Sequence, residues 1–422
     1  MHLPAVTVPP PAPSNARALL QLLEEASTVS GIQQASNGSS AHTEVWTCGQ
    51  NSYGELCLGG RDTGGRQRHS LVCKLSGRGV VDVAAGNEHT VVLCSNGDVL
   101  TAGYNDNGQC GHGDKQRIAN LTPIASLSEA NMGARCTQVH SYNGCEHSFA
   151  VLADGRLASF GYNCRGQLGV GTTSSETVPR LVSGGGLAGH QVKDVACSYY
   201  HSIVTCTDGA VYAFGRNDFG QLGLGDVSDR VTPTRVQLPV AEAHTGVSSI
   251  ACGQYHTLLT TCNGAVLVCG KNDYGQLGLD GGTTGARACK ALTRVGGALA
   301  NERAVAVRCG YYHSLVLTEG GEVFGFGRND YGQLGLGHAM QSIAAPSCIR
   351  GLDGKGVVQL AAGCYHTVFV AGSGMLYVCG RNNHGQLGTG DAAERHSPYP
   401  LDIFLGKQVA KIAAGFYHTV II

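Results

Sequence analysis

The sequence predicts an all-β, seven-bladed β-propeller. Three recurring features carry that expectation. A glycine-rich loop, G-x-N-x-x-G-Q-L-G, starts at Gly49, Gly103, Gly161, Gly215, Gly270, Gly327 and Gly380. A histidine followed by a short β-branched and apolar run falls at His89, His147, His201, His256, His313, His366 and His418, at intervals of 52 to 58 residues. Between the two stands a turn dipeptide: Asn96-Gly97, Asp154-Gly155, Asp208-Gly209, Asn263-Gly264, Gly320-Gly321 and Ser373-Gly374. Self-similarity at such a period marks a repeat array, and four short strands per unit make a propeller blade.

Residues 1–13 are proline-rich and expected to be extended. Ser14 is a candidate N-cap for a short helix over Asn15–Ala26, with Leu19, Leu20, Leu22 and Leu23 as its apolar stripe. Residues 27–43 read as a linker, so the chain divides into an N-terminal extension, 1–43, and a propeller, 44–422. Residues 304–337 typify one unit: Val305–Cys309, His313–Thr318 and Glu322–Phe326 are successive strands, and an outer strand follows the glycine loop, as at Thr232–Val236. The turn dipeptides suit two-residue type I′ hairpins, which need positive φ at both central positions. The array starts mid-unit, with Glu44–Cys48 as a third strand, and stops mid-unit, with Val409–Ala413 and His418–Ile422 as a first and a second. Together the two halves make one blade, so pairing of N- and C-terminal strands is expected to close the ring and remove its free edges.

These residues resemble the regulator of chromosome condensation family of repeats. The likeness rests on G-x-N-x-x-G-Q-L-G followed by A/C-x-G/S-x-x-H-S/T and covers residues 45–422. Glu55 and Cys110 are departures in the first two loops. The resemblance implies a propeller that binds proteins, with guanine-nucleotide exchange on a small GTPase, or substrate recognition within a ubiquitin ligase, as alternatives. Exchange would call for acidic residues on one face, for which Asp106, Asp218, Asp273 and Asp330 are placed. Members that sense ultraviolet light depend on several interface tryptophans, and Trp46 is the single tryptophan here.

Composition narrows the function. Net charge is −1, without the basic footprint that nucleic-acid binding requires. The tail before Trp46 has a single Lys or Arg, Arg17, whereas founding members bind chromatin partly through a basic tail. No apolar run reaches the roughly 18 residues of a membrane span, and no signal peptide is expected. The 18 cysteines include no C-x-x-C pair, and they suit a reducing compartment, cytoplasmic or nuclear. Cys197, Cys252 and Cys309 share one repeat position and Cys48, Cys269 and Cys379 another, and they read as small buried hydrophobes.

No catalytic residue, metal site or cofactor is expected. The seven histidines fall one per blade, spread around a circle, and a metal would need ligands that adjacent blades cannot easily supply. Cys145 and Cys364 lie two residues before His147 and His366, yet other copies place Asn, Gln, Tyr or Phe there. More informative is what varies between copies. The two residues before each histidine are Tyr199-Tyr200, Gln254-Tyr255, Tyr311-Tyr312, Cys364-Tyr365 and Phe416-Tyr417 in five blades, but Asn87-Glu88 and Cys145-Glu146 in two. The second position of the glycine loop is Arg216, Lys271, Arg328 and Arg381 in four consecutive blades. Both loops leave the same face, because strands alternate in direction. Tyr199, Tyr200, Arg216, Tyr255, Lys271, Tyr311, Tyr312, Arg328, Tyr365, Arg381, Phe416 and Tyr417 are therefore the candidate partner-binding residues, with Glu88 and Glu146 outside their sector. The expected protein is a monomeric scaffold or recognition module with a protein partner.

Overall fold

The computed structural model describes residues 43–59, 64–75, 77–279 and 287–422. The helix expected at residues 15–26 lies outside them. The described residues form seven antiparallel sheets of four strands each, called blades I to VII. Their innermost strands are Val80–Ala85, Cys136–His140, Val192–Cys197, Val247–Cys252, Ala304–Cys309, Val357–Ala362 and Ile412–Ala414. Each second strand starts at its motif histidine and is buried along its length. Blade VII is assembled from both chain ends: Trp46–Gly49 pairs with His418–Ile421, Trp46 opposite Ile421 and Gly49 opposite His418. Its outermost strand is Arg66–Leu71.

The hairpins differ from the expected type I′. Only the glycine of each dipeptide has positive φ, from Gly321 at 81° to Gly264 at 91°. In blade I the Gly97 N–H donates to the Cys94 carbonyl at 2.9 Å, and the Cys94 N–H to the Asp98 carbonyl at 2.9 Å. That is a type I turn followed by a left-handed glycine and a bulge, which needs one left-handed residue where type I′ needs two. It therefore accepts Asn, Asp, Ser or Gly before the glycine.

Neighbouring blades are joined by the motif histidines. Each imidazole Nε2 meets the hydroxyl that follows the histidine of the next blade: His89 with Ser148 at 2.9 Å, His201 with Thr257 at 2.9 Å, His313 with Thr367 at 3.2 Å and, across the chain ends, His418 with Thr90 at 3.0 Å. Every such hydroxyl also donates to a carbonyl in the glycine loop of the preceding blade, as Thr367 does to Gln333 at 2.7 Å and Thr90 to Glu55 at 2.7 Å. A hydroxyl that donates to a carbonyl accepts from the imidazole, so Nε2 carries the proton. Burial holds these histidines neutral, pushing His313 and His366 down to about 3. Below about pH 6.5 the unfolded imidazoles take up protons that the folded ones refuse, so acid drains stability from the ring.

The glycine three residues before the histidine makes room for its ring. A Cβ on Gly310 would lie 1.9 Å from His313 Cε1, and one on Gly363 2.1 Å from His366 Cε1. Blade III has Ser198 there, with Oγ 3.0 Å from His201 Nδ1. The cysteines read as small hydrophobes do more than fill space. The thiols of Cys48, Cys269 and Cys379 each donate at 3.4 Å to the same loop carbonyls that the hydroxyls use.

Two expectations follow. Thr367→Val keeps the shape but leaves the His313 N–H and one Gln333 carbonyl bond unmade, so chemical denaturation should show a loss of about 2–3 kcal/mol. Removing residues 409–422 strips Trp46–Gly49 of its partner strand, and the truncated chain should aggregate where the full chain stays soluble and unfolds cooperatively.

Candidate partner-binding face

The glycine loops are held rigid by their own polar side chains. In blade III, Asn217 Oδ1 accepts the Leu222 N–H at 3.0 Å, its Nδ2 donates to the Asp226 carbonyl at 3.1 Å, and Gln221 Oε1 accepts the Phe219 N–H at 3.0 Å. The same bonds recur at Asn329 and Gln333 in blade V. Each loop also joins the strand beside it: the N–H of Arg216, Lys271, Arg328 and Arg381 donates to the carbonyl of Tyr200, Tyr255, Tyr312 and Tyr365 in turn. The cation and the tyrosine of a blade are thereby fixed side by side.

The candidate residues come together as one belt across blades III to VII. Arg216 lies over the Tyr200 ring at 5.0 Å and the Tyr255 ring of the next blade at 5.1 Å. Lys271 sits 5.5 Å from the Tyr255 ring centroid. Arg328 approaches Tyr312 at 5.9 Å and Tyr365 at 5.2 Å, and Arg381 approaches Tyr365 at 5.8 Å and Tyr417 at 5.2 Å. Tyr199 packs on Tyr200 at 4.4 Å, and Tyr311 lies within 5.8 Å of Tyr312, Tyr365 and Phe416. All twelve candidate residues are half-buried, leaving edges of the rings and cations at the surface.

A second aromatic row escaped the sequence reading. Phe219, Tyr274 and Tyr331 occupy the fifth position of their glycine loops and stack under the same cations: Lys271 over Phe219 at 4.9 Å, Arg328 over Tyr274 at 5.2 Å, Arg381 over Tyr331 at 5.0 Å. Aromatic residues at that loop position in three consecutive blades were the available signal. The cations are also less free than the sequence suggested. Arg216, Lys271 and Arg328 pair with Asp218, Asp273 and Asp330 two residues on, at 2.6, 2.8 and 2.6 Å. Arg381 has Asn383 two residues on, in place of an aspartate, and donates to Tyr417 Oη at 3.0 Å.

A family model for the RCC1-like domain matches residues 44–421. The chain belongs to the RCC1-like domain family. It is 33% identical over 342 residues to the ultraviolet-B receptor UVR8 of Arabidopsis thaliana, a match covering 81% of this chain and 74% of the receptor. It is 30% identical over 403 residues to the E3 ubiquitin-protein ligase HERC2 of Mus musculus, covering 94% of this chain but 8% of the ligase. The solved structure of Prp20p from Saccharomyces cerevisiae, described with its binding to Gsp1p and histones, superposes with a TM-score of 0.77 at 19% identity. That superposition covers 91% of this chain and 92% of Prp20p.

Blades I and II give this RCC1-like propeller a different sector. Glu88 accepts from Gln50 at 2.8 Å, and Glu146 from Asn87 at 3.0 Å and Asn107 at 2.8 Å. The buried Glu55 lies below, accepting the Ser52 and Tyr53 N–H groups. Burial, with the charges of Glu55 and Glu146, pushes the Glu88 carboxyl up to about 7. Burial and the charge of nearby Glu146 push the Tyr199 phenol, at the belt's edge, up. The cysteines are not all alone: Cys145, His147 and Cys197 of the adjacent blade lie together.

The raised Glu88 carboxyl sets a pH dependence. Its folded pKa lies above the unfolded value, so its protonated form is favoured in the fold, and stability is lost as pH rises from about 4.5 to about 7. Glu88→Gln should therefore raise stability above pH 7 by about 1 kcal/mol, a figure kept small because the group is part-exposed. The gain should vanish near pH 4, as thermal melts at the two pH values would show.

Proposed function

We propose that this RCC1-like propeller is a non-enzymatic recognition module that binds a protein partner through the belt on blades III to VII. The observation carrying this reading is the interleaving of Arg216, Lys271, Arg328 and Arg381 with two rows of aromatic rings on one face. Aromatic residues and arginine are the side chains that dominate binding energy at protein interfaces. Held rigidly by loop hydrogen bonds, they lose little entropy on binding.

The ion pairs shape the partner. Carboxylates of a partner would compete with Asp218, Asp273 and Asp330 for their cations, so strongly acidic partners gain little there. A largely apolar surface with an acid placed for Arg381 suits the belt best. The same pairs weigh against nucleotide exchange on a small GTPase, since these aspartates are already engaged. Use of the propeller as the substrate-recognition part of a larger ubiquitin ligase is compatible with the belt, and the match to a small share of HERC2 supports it. The protein would act as a monomer in the cytoplasm or nucleus, where its unpaired thiols suit reducing conditions. Among the described residues, no helix is long and apolar enough to cross a membrane.

The test is partner capture by the full chain from a cell extract, with the captured protein then identified and its binding measured. Tyr312→Ala combined with Arg328→Ala should weaken binding by about thirtyfold or more, the equivalent of one anchor worth roughly 2 kcal/mol. Thermal stability should change little. Glu88→Ala, away from the belt, should leave binding intact. Normal binding by a folded double mutant would remove the belt from consideration.

A further inference from the structure

Blade II departs from the repeat at one loop. Between Ser141, the first residue after its inner strand and the register equivalent of Cys197, and His147 stand five residues; between Cys197 and His201 of blade III stand three. The longer loop reaches across the propeller axis. Asn143 donates to the Cys309 carbonyl of blade V, and a Cβ on Gly144 would stand 3.2 Å from the Tyr311 ring. The chain then turns back and carries Cys145 inward, where it is fully buried.

This brings three metal-ligating side chains together. Cys145 Sγ, a ring nitrogen of His147 and Cys197 Sγ all lie within 4.8 Å of one another, and all three residues are buried. His147 Nδ1 has no hydrogen-bond partner among the described residues. In blades I, IV, V and VI the same nitrogen faces a glycine, at Gly86, Gly253, Gly310 and Gly363. Those nitrogens are unpartnered as well, but in blade II Gly144 is carried off toward Tyr311 and a thiol lies within 4.8 Å of a His147 ring nitrogen. The His147–Ser202 contact is correspondingly loose, at 3.4 Å.

We propose that Cys145, His147 and Cys197 form a zinc site that ties blade II to blade III. Thiolate and imidazole are the ligands zinc takes in structural sites, at about 2.3 Å for sulfur and about 2.0–2.1 Å for nitrogen. Tetrahedral geometry at those lengths sets ligand atoms roughly 3.4–3.8 Å apart, so modest side-chain rotation completes the site. Charge favours zinc over copper(I): two thiolates and one divalent ion sum to zero, which a dry interior tolerates, whereas a monovalent ion leaves a net negative charge. Binding converts two thiols and one aqueous zinc ion into two zinc–sulfur bonds and one zinc–nitrogen bond, and releases two protons. With three protein ligands, the fourth tetrahedral position is left to a solvent molecule.

The experiment uses the full chain, reduced and stripped with a chelator, then titrated with zinc against a chromophoric competitor and separately with cobalt(II). The expected result is one equivalent of zinc, two protons released per ion, and a thiolate-to-cobalt charge-transfer band. The melting temperature should rise with zinc concentration. Cys145→Ser and Cys197→Ser should each lose the equivalent and the band, while Cys262→Ser, at an exposed cysteine elsewhere, keeps both. Zinc uptake by Cys145→Ser equal to that of the unaltered chain would overturn the assignment. So would a cobalt complex of the unaltered chain lacking the thiolate band, a readout that stands even if a variant fails to fold. A Cys145–Cys197 disulfide found under reducing conditions, with no metal uptake, would equally overturn it.

Discussion

The bond on which this structure depends is the one from each motif histidine to the hydroxyl of the next blade. Propeller blades otherwise meet through apolar faces, which attract without fixing an angle. The hydroxyl accepts from one blade's imidazole and donates to the same blade's glycine-loop carbonyl, so it fixes both the second strand and the loop of its neighbour. The circuit runs from His89 around to His418, which returns to Thr90. Buried as they are, such bonds are costly to leave unmade. The repeat sequence is the list of what the circuit requires: a histidine, a hydroxyl after it, a small residue before it and an amide-rich loop.

With those positions committed, the remaining loop residues are free to differ. The second and fifth positions of the glycine loop and most residues of the pairs before the histidines reach one face, while Cys145, Glu146, Gln254 and Cys364 are buried. In blades III to VI they carry tyrosines, Phe219 and cations, and blade VII adds Phe416 and Tyr417 beside Gln50; blades I and II carry Asn87, Glu88, Cys145 and Glu146, with Tyr104 and Tyr162 in their glycine loops. A ring with sevenfold scaffolding thus presents a face with two unlike sectors. The aspartates after Arg216, Lys271 and Arg328 neutralise the belt without moving the cations off the rings. The belt therefore reads as an amphipathic surface more than a positive one.

Much of this was legible in the sequence, and the parts that were not share a cause. The blade count, the strand order and the nearness of the tyrosines to the cations follow from period and alternation, which are local properties. The turn type did not, because Asn-Gly suits both type I′ and a type I turn with a bulge, and only backbone geometry separates them. The ion pairs at Asp218, Asp273 and Asp330 were hidden because these residues read as loop consensus. Cys145 beside Cys197 was hidden because it depends on how far a two-residue insertion carries a loop across the axis. The histidine bonds were hidden as well, because they join side chains of adjacent blades, a pairing some 55 residues away in sequence that no local pattern displays.

The central claim is that the belt, and no other surface, meets the partner. Hydrogen–deuterium exchange of the full chain with and without its captured partner tests it most directly. The account predicts slowed exchange in the loops holding Tyr199–Tyr200, Tyr255, Tyr311–Tyr312, Tyr365 and Phe416–Tyr417, and in the glycine loops from Arg216 to Arg381, with Asn87–Glu88 unchanged. Protection at the hairpins of the opposite face, around Gly209, Gly264 and Gly321, with the belt unchanged, would contradict it.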